Sequence, residues 1–218
     1  MKEKQMRKLA TLAVLLGLVA NPATLSADET SWKKNEINSS YYVSGIQDAP
    51  ITLVVYSSPT CSHCVDFHRN ELEALKRDFV EKNVLKVIYR PYVRNSVDAV
   101  IFMLSKAHGG DRYFETLSYF MSRFEEIAAA DDTETALRKI ATELAIDRTD
   151  FDLAISDQAY LDELNAGTKQ AQSEVGVTGT PTFFIDDQPI NIRRSFKEVS
   201  AAVAEKAGMV PASPEGHP

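Results

Sequence analysis

Cysteine is what this sequence has least of: Cys61 and Cys64 are the only two among 218 residues. That scarcity excludes a disulfide-stapled scaffold. With no second Cys-x-x-Cys and no His-x-His pair, a structural zinc site would also be short of its four ligands. A bridge across so short a loop would constrain the unfolded chain by only about 2 kcal/mol. A chain of this length, 44% hydrophobic, builds a core without such help. Concentrated positive charge is missing too. The formal net charge is -7 and no run of Lys or Arg follows the first residues, so the electrostatic footprint of nucleic-acid binding is missing. Internal repeats are absent.

Long apolar runs are also few, and the one at the start is informative. Lys2, Lys4, Arg7 and Lys8 precede an uncharged stretch from Leu9 to Ala20, and small and polar residues follow to Ala27. The stretch falls short of the roughly 20 residues a bilayer-spanning helix needs. The layout is that of a secretory signal peptide over 1–27, with Ala27 last before cleavage, although Leu25 is not the best residue two positions earlier. An uncleaved anchor is the alternative. No cysteine lies near the cleavage region, which argues against a lipoprotein anchor. The expected location is therefore the periplasm.

Beyond a polar extension (28–40), Tyr41-Tyr42-Val43 reads as a strand and Gly45–Pro50 as a turn. Ile51–Tyr56 is a continuous β-rich apolar run, the pattern of a strand covered on both faces. Phe67, Leu72, Leu75 and Phe79 then recur at mostly helical spacing, and Leu85–Tyr89 reads as a strand. This order predicts a βαβ unit with parallel strands. Residues 95–176 carry helical patterns instead: one through Val97, Val100, Ile101 and Leu104 stopping at Gly109-Gly110, one from Phe114 to Phe124, one through Leu137, Ile140 and Leu144, and one from about Thr149 towards Val175. They read as a helical domain inserted into an α/β domain made of 41–94 and 177–208. A hairpin is expected from Thr182–Ile185 and Ile190–Ile192. Ser195 and Glu198 have the spacing of a capping box for a closing helix that ends near Gly208, and 209–218 reads as a disordered tail.

The chemistry-bearing motif is Cys61-Ser62-His63-Cys64, where a strand ends and a helix begins. Unpaired N–H groups at a helix N-terminus stabilise a negative sulfur, so Cys61 is the expected nucleophile. Cys64, one turn inside, is expected to be shielded and to resolve the mixed disulfide. His63 is placed to put an N–H or a positive charge beside Cys61. His68, four residues after Cys64, reads first as a surface helix residue, and His108 as a helix C-terminal residue that suits the dipole. His217 falls in the tail. Far along the chain, Thr180-Pro181 directly precedes the Thr182–Ile185 strand, a position at which proline is tolerated and a cis bond is expected.

Together the Cys61–Cys64 unit, the helical insertion and Val177-Thr178-Gly179-Thr180-Pro181-Thr182-Phe183-Phe184 resemble the DsbA-like proteins of the thioredoxin superfamily. The resemblance covers nearly the whole mature chain and implies a thioredoxin-like fold carrying an inserted helical domain. It implies that Pro181 is cis and packs near Cys61, and that Thr180 pairs with a substrate peptide as an added strand. Ser62 joins them as a substrate-facing residue. The implied cofactor is none beyond the redox-active cysteine pair. The implied partners are exported cysteine-containing polypeptides and a membrane redox protein of DsbB type, the enzyme being monomeric. Two departures stand out. Val55 occupies the strand position where well-known members carry a buried acid, so the proton of Cys64 must use water or another group. Ser62 replaces the commoner proline, removing rigidity and adding a hydroxyl.

A dithiol oxidase is the leading expectation. An isomerase or reductase, reset by a DsbD-type partner, is the second, because threonine before the cis-proline occurs there too. The short stretch between Ala27 and the first strand leaves little room for the dimerisation segment isomerases of this type carry. A metal-binding module built on Cys61, Cys64 and His68 is the reading from another class.

Overall fold

The structure, a computed structural model, describes residues 42–192 and 195–209. The signal peptide, the 28–40 extension, Tyr41 and nearly all of the expected tail lie outside the described residues. Five strands form one sheet in the order β1-β3-β2-β4-β5: β1 (Tyr42–Ser44), β2 (Ile51–Ser57), β3 (Leu85–Pro91), β4 (Thr182–Ile185) and β5 (Gln188–Ile190). β2 and β3 pair in parallel as the βαβ order requires, Val55 facing Tyr89, and the remaining pairs are antiparallel. β2 sits at the centre and is buried on both faces. Leu53 and Val55 join the larger apolar cluster, while Val54 and Tyr56 join a smaller one with Ile88, Tyr92, Val177 and Phe184.

Between β1 and β2, Gly45 adopts φ +108°, and a Cβ there would come within 2.6 Å of the Leu85 carbonyl oxygen. Only glycine suits both the backbone angle and that close approach. After β2 the chain enters α1 (Ser62–Phe67), continued by a π-helical turn (His68–Leu72), α2 (Glu73–Leu75) and a second π-turn (Lys76–Val80). The five-residue step from Phe67 to Leu72, too long for an α-helical stripe, is absorbed by the first wide turn, and both side chains reach the core.

Helices α3 (Ser96–Ala107), α4 (Tyr113–Ser122), α5 (Phe124–Ala128), α6 (Thr133–Glu143), α7 (Arg148–Ile155) and α8 (Gln158–Gln170) lie between the two parts of the sheet. Ile101, Leu104, Leu117, Phe120 and Ile140 share a core with the strands and α1. His108 caps the C-terminus of α3, as its place before the glycines indicates. The single helix expected from Thr149 to Val175 is two. The chain breaks at Ser156-Asp157, where the Asp157 carboxylate accepts the Tyr160 N–H at 3.0 Å and starts α8. An Asp that can take a free helix N–H outweighs a hydrophobic period that continues across it.

The hairpin forms, with its second strand earlier than expected. Asp186 and Asp187 both have positive φ and make a two-residue turn. β5 therefore begins at Gln188 and ends at Ile190, leaving Asn191 and Ile192 outside it. The closing helix α9 (Lys197–Lys206) ends before Gly208 at φ +65°. At its start the Ser195 hydroxyl accepts from the Lys197 N–H and its carbonyl from Glu198, so the serine half of the capping box is replaced by a tighter turn.

Candidate active site

Cys61 is the N-cap residue of α1, and Cys64 lies one turn inside. Both are free thiols. Cys61 is 7% exposed and Cys64 not at all. The junction forms because Pro59, two residues after β2 ends, cannot donate to a continued ladder, and the helix begins three residues later. Opposite lies the loop before β4, whose Thr180-Pro181 bond is cis. The Thr180 carbonyl accepts the Cys61 thiol at 3.2 Å. The Thr182 hydroxyl donates to the Gly179 carbonyl at 2.7 Å and tightens that loop.

The two thiols titrate in opposite directions. Cys61 is lowered to about 5, chiefly because the Cys64 thiol hydrogen-bonds its sulfur; Thr180, the Cys64 backbone N–H and the Arg94 guanidinium add to this, against an opposing cost of burial. Cys64 is pushed up, first by burial and then by its neighbour Cys61. A proton shared between the sulfurs thus rests on the inner one, and the outer one is a thiolate at neutral pH. The backbone N–H belongs to the first turn of α1, so the helix N-terminus contributes as expected. His63 and Ser62 are exposed on that same turn, and His63 is not among the leading causes of the low thiol pKa.

His68 differs from its surface assignment. It is 7% exposed, its Nε2 lies 2.7 Å from the Ser118 hydroxyl, and its ring stacks on Phe114. Burial and the Lys76 cation hold it down to about 4. Four residues from Cys64 on a helix means the same face, and that face is the inner one. Among the described residues no third His, Cys, Asp or Glu joins the cysteines in a metal-binding cluster.

Five residues that the motif did not indicate complete the site. Asp98, in the first turn of α3 and fully buried, accepts from the Ser58 hydroxyl at 2.9 Å, from the Thr60 N–H at 3.0 Å and hydroxyl at 2.8 Å, and from the Arg94 N–H at 2.8 Å. It ties the segment just before Cys61 to the helical insertion. Asn95 adds a bond from its amide to the Thr60 hydroxyl at 2.8 Å. Arg94 is exposed and supplies the cation near Cys61. Ser57 and Tyr89 lie on the buried side, their hydroxyls 2.6 Å apart. Alternation along β2 and β3 could have placed Ser57 with Val55, and Tyr89 with Leu85 and Val87, on the inward face.

A reactive cysteine pair at a strand-to-helix junction, facing a cis-proline loop across a mixed sheet, is the arrangement of thioredoxin-type redox proteins. The thioredoxin family model matches residues 38–205, and the chain belongs to that family. Within it, the fold is that of the DsbA-like proteins. Wolbachia pipientis alpha-DsbA1 superposes with a TM-score of 0.72 at 23% identity, covering 82% of this chain and 96% of that one. A protein-disulfide isomerase from Novosphingobium aromaticivorans gives 0.72 at 20% identity, covering 78% and 99%. Among curated sequences, a relative from Rickettsia bellii, provisionally named a protein-disulfide oxidoreductase, is 22% identical over 169 residues, 77% of this chain. A like-named Rickettsia typhi relative is 21% identical over 152 residues, 69% of this chain. The chain spans 65% and 56% of the lengths of these two relatives.

Proposed function

We propose that the protein is a periplasmic thiol:disulfide oxidoreductase that donates the Cys61–Cys64 disulfide to exported cysteine-containing polypeptides. The observation that carries this reading is the division between the sulfurs: Cys61 lowered to about 5 at the rim, Cys64 raised and fully buried. A substrate thiolate attacks Cys61, the outer sulfur, and forms a mixed disulfide. The second substrate thiol then displaces Cys61, which leaves readily because its thiolate is stable. That stability belongs to the reduced form alone, so it drives the pair to give its disulfide away. Thr180 and Pro181, half-buried beside Cys61, would receive the substrate as an added strand, with Ser62 at the exposed edge. The charged and apolar N-terminal pattern supports export, and a membrane protein of DsbB type would reoxidise a monomeric enzyme.

An isomerase or reductase is the second reading, since Thr180 precedes the cis-proline in either. The equilibrium with glutathione separates the two. An oxidase is reduced readily by glutathione, each ~30 mV of potential amounting to about 1.4 kcal/mol; a strongly reducing pair would overturn the oxidase reading. Cys61→Ser should abolish disulfide transfer to a dithiol peptide. Cys64→Ala should accumulate reducible adducts with disulfide-containing polypeptides on a non-reducing gel: the Cys61 thiolate attacks a polypeptide disulfide, one polypeptide thiolate leaves, and no Cys64 remains to resolve the mixed disulfide. Transfer at the parental rate by Cys61→Ser would overturn the assignment.

A further inference from the structure

Val55 leaves the inner side of the cysteine pair without an acid at its own position, yet two linked hydroxyls, Ser57 on β2 and Tyr89 on β3, lie on that side. Ser57 lies two residues beyond Val55 on β2 and so emerges on the same face. Its side chain holds the Cys64 thiol pKa down against burial, as a donor to the sulfur does. Tyr89, on β3, donates to Ser57 Oγ at 2.6 Å; its single hydrogen favours that oxygen over the Met121 sulfur at 3.7 Å. With one hydrogen arriving from Tyr89, Ser57 keeps its own free to turn to the sulfur. The Ser58 N–H points at the same sulfur from 3.5 Å. Cys64, Ser57, Ser58 and Tyr89 are each at most 1% exposed, so bulk water does not reach the sulfur to solvate a charge there.

The geometry points to Ser57 as a catalytic residue and Tyr89 as its positioning residue, forming a donor chain that receives the charge expelled onto Cys64 when the disulfide opens. This rests on the proposed disulfide-donating function and names the groups that make its first step fast. In that step a substrate thiolate attacks Cys61 Sγ. A substrate–Cys61 S–S bond forms, the Cys61–Cys64 bond breaks, and its electron pair stays on Cys64 Sγ. A buried thiolate with no donor would be costly; the Ser58 N–H already points at it and the Ser57 O–H is free to turn to it. In the second step the other substrate thiolate attacks its own half of the mixed disulfide and the electron pair returns to Cys61. The substrate dithiol has lost two electrons and the cysteine pair has gained them. Of the two thiol protons released, one ends on Cys64 and the other goes to solvent, since Cys61 stays a thiolate.

The test uses the full chain, purified oxidised, and a model dithiol peptide followed by loss of its thiols in a single turnover. Ser57→Ala should slow transfer by about tenfold or more, the effect of one hydrogen bond to a charged atom. Tyr89→Phe, which keeps the ring and removes only the hydroxyl, should slow it by about threefold, as expected for a neutral bond acting one step away. Ser57→Thr retains the hydroxyl and should restore transfer to within about threefold of the parent. Alkylation of Cys61 by iodoacetamide in the reduced protein should stay within about twofold in all three, because the Cys64 thiol still donates to it. Parental transfer by Ser57→Ala overturns the inference, as does a parallel fall in transfer and alkylation, or equal slowing by alanine and threonine. If Ser57→Ala does not fold, Tyr89→Phe decides, and a parental rate there overturns it. A parent chain that transfers nothing to the peptide sinks the proposed function itself. A parent that transfers, with Ser57→Ala equal to it, sinks only this inference.

Discussion

The outer and inner sides of the cysteine pair are built from different materials. Around Cys61 stand the backbone N–H of the first turn of α1 and the exposed Arg94 cation, while the Thr180 carbonyl accepts from the thiol when it is protonated. Around Cys64 stand strand side chains locked in the core: Ser57, Tyr89 and the apolar wall of Leu53 and Val55. On the outer side the thiol pKa is lowered, chiefly by the Cys64 thiol; on the inner side burial raises it against the Ser57 and Ser58 donors, and the proton stays there. Only Ser62 and His63 separate the two cysteines, and one helical turn is enough to carry a side chain from rim to core. The contrast therefore depends on the loop before Cys61 holding its place.

Breaking that hold should give the largest effect. Asp98 receives its bonds from Ser58, Thr60 and Arg94 while fully buried. Asp98→Ala would leave those donors facing a void, and the chain should lose about 3 kcal/mol or more in urea unfolding. Removing the exposed ion pair by Arg77→Ala should leave the urea midpoint at the parent value in the same assay. Equal losses would show that the loop is not pinned through Asp98.

Asp98 also marks where sequence reading reached its end. The cysteines and Pro181 were legible because strand-to-helix and loop-to-strand junctions are local events, written in neighbouring residues. The parallel β2–β3 pair followed for the same reason. Asp98 reads locally as an ordinary acid in a helix's first turn. Nothing nearby signals that it reaches 38 residues back along the chain to Thr60. A hint existed in Ser105, polar and fully buried seven residues on, since both lie on the face that turns inward with Ile101 and Phe102. His68 was misplaced although its spacing from Cys64 fixed its face. There residue type was allowed to outweigh position. Ser57 and Tyr89 required the register of two strands, and pairing between strands is a tertiary fact.

A smaller effect sharpens the contrast through pH. Cys61, at about 5 when folded and about 8.5 when unfolded, is a depressed acid. Its stabilising contribution to the reduced fold is complete above the unfolded value and is lost as pH falls through the folded one. Allowing for solvent at the rim, this amounts to on the order of 2 kcal/mol by pH 7. The oxidised fold has no such charge but gains about 2 kcal/mol from its short loop closure. The difference between reduced and oxidised melting temperatures should therefore rise by roughly 4 °C or more from pH 5 to pH 7, in favour of the reduced form. His68, lowered to about 4, also destabilises the fold as pH drops below about 6.5, but it does so in both redox states and cancels in the difference. Raised Cys64 reverses the trend above about pH 8.5, where the unfolded chain ionises a thiol that the folded one cannot. A melting difference that is flat between pH 5 and 7 would mean that Cys61 is not the low-pKa thiol.

The smallest effect tests which groups act on Cys61. The leading cause of its depression is the Cys64 thiol, so Cys64→Ala should raise the pH midpoint of Cys61 alkylation by about one unit or more. Arg94 is exposed and acts through space, where water and salt weaken a single charge. Arg94→Ala should raise the midpoint by only a few tenths of a unit at low ionic strength, and by less in ~1 M salt. His63, between the cysteines, was the residue that the motif itself offered for this role. It is exposed on the outer turn of α1 and is not among the leading causes. His63→Ala should therefore leave the alkylation midpoint within about 0.2 units of the parent, below the Arg94 effect at low salt. If His63→Ala moves the midpoint further than Arg94→Ala does, the charge acting on Cys61 comes from inside the motif, and the outer side of the site is more self-contained than its geometry indicates.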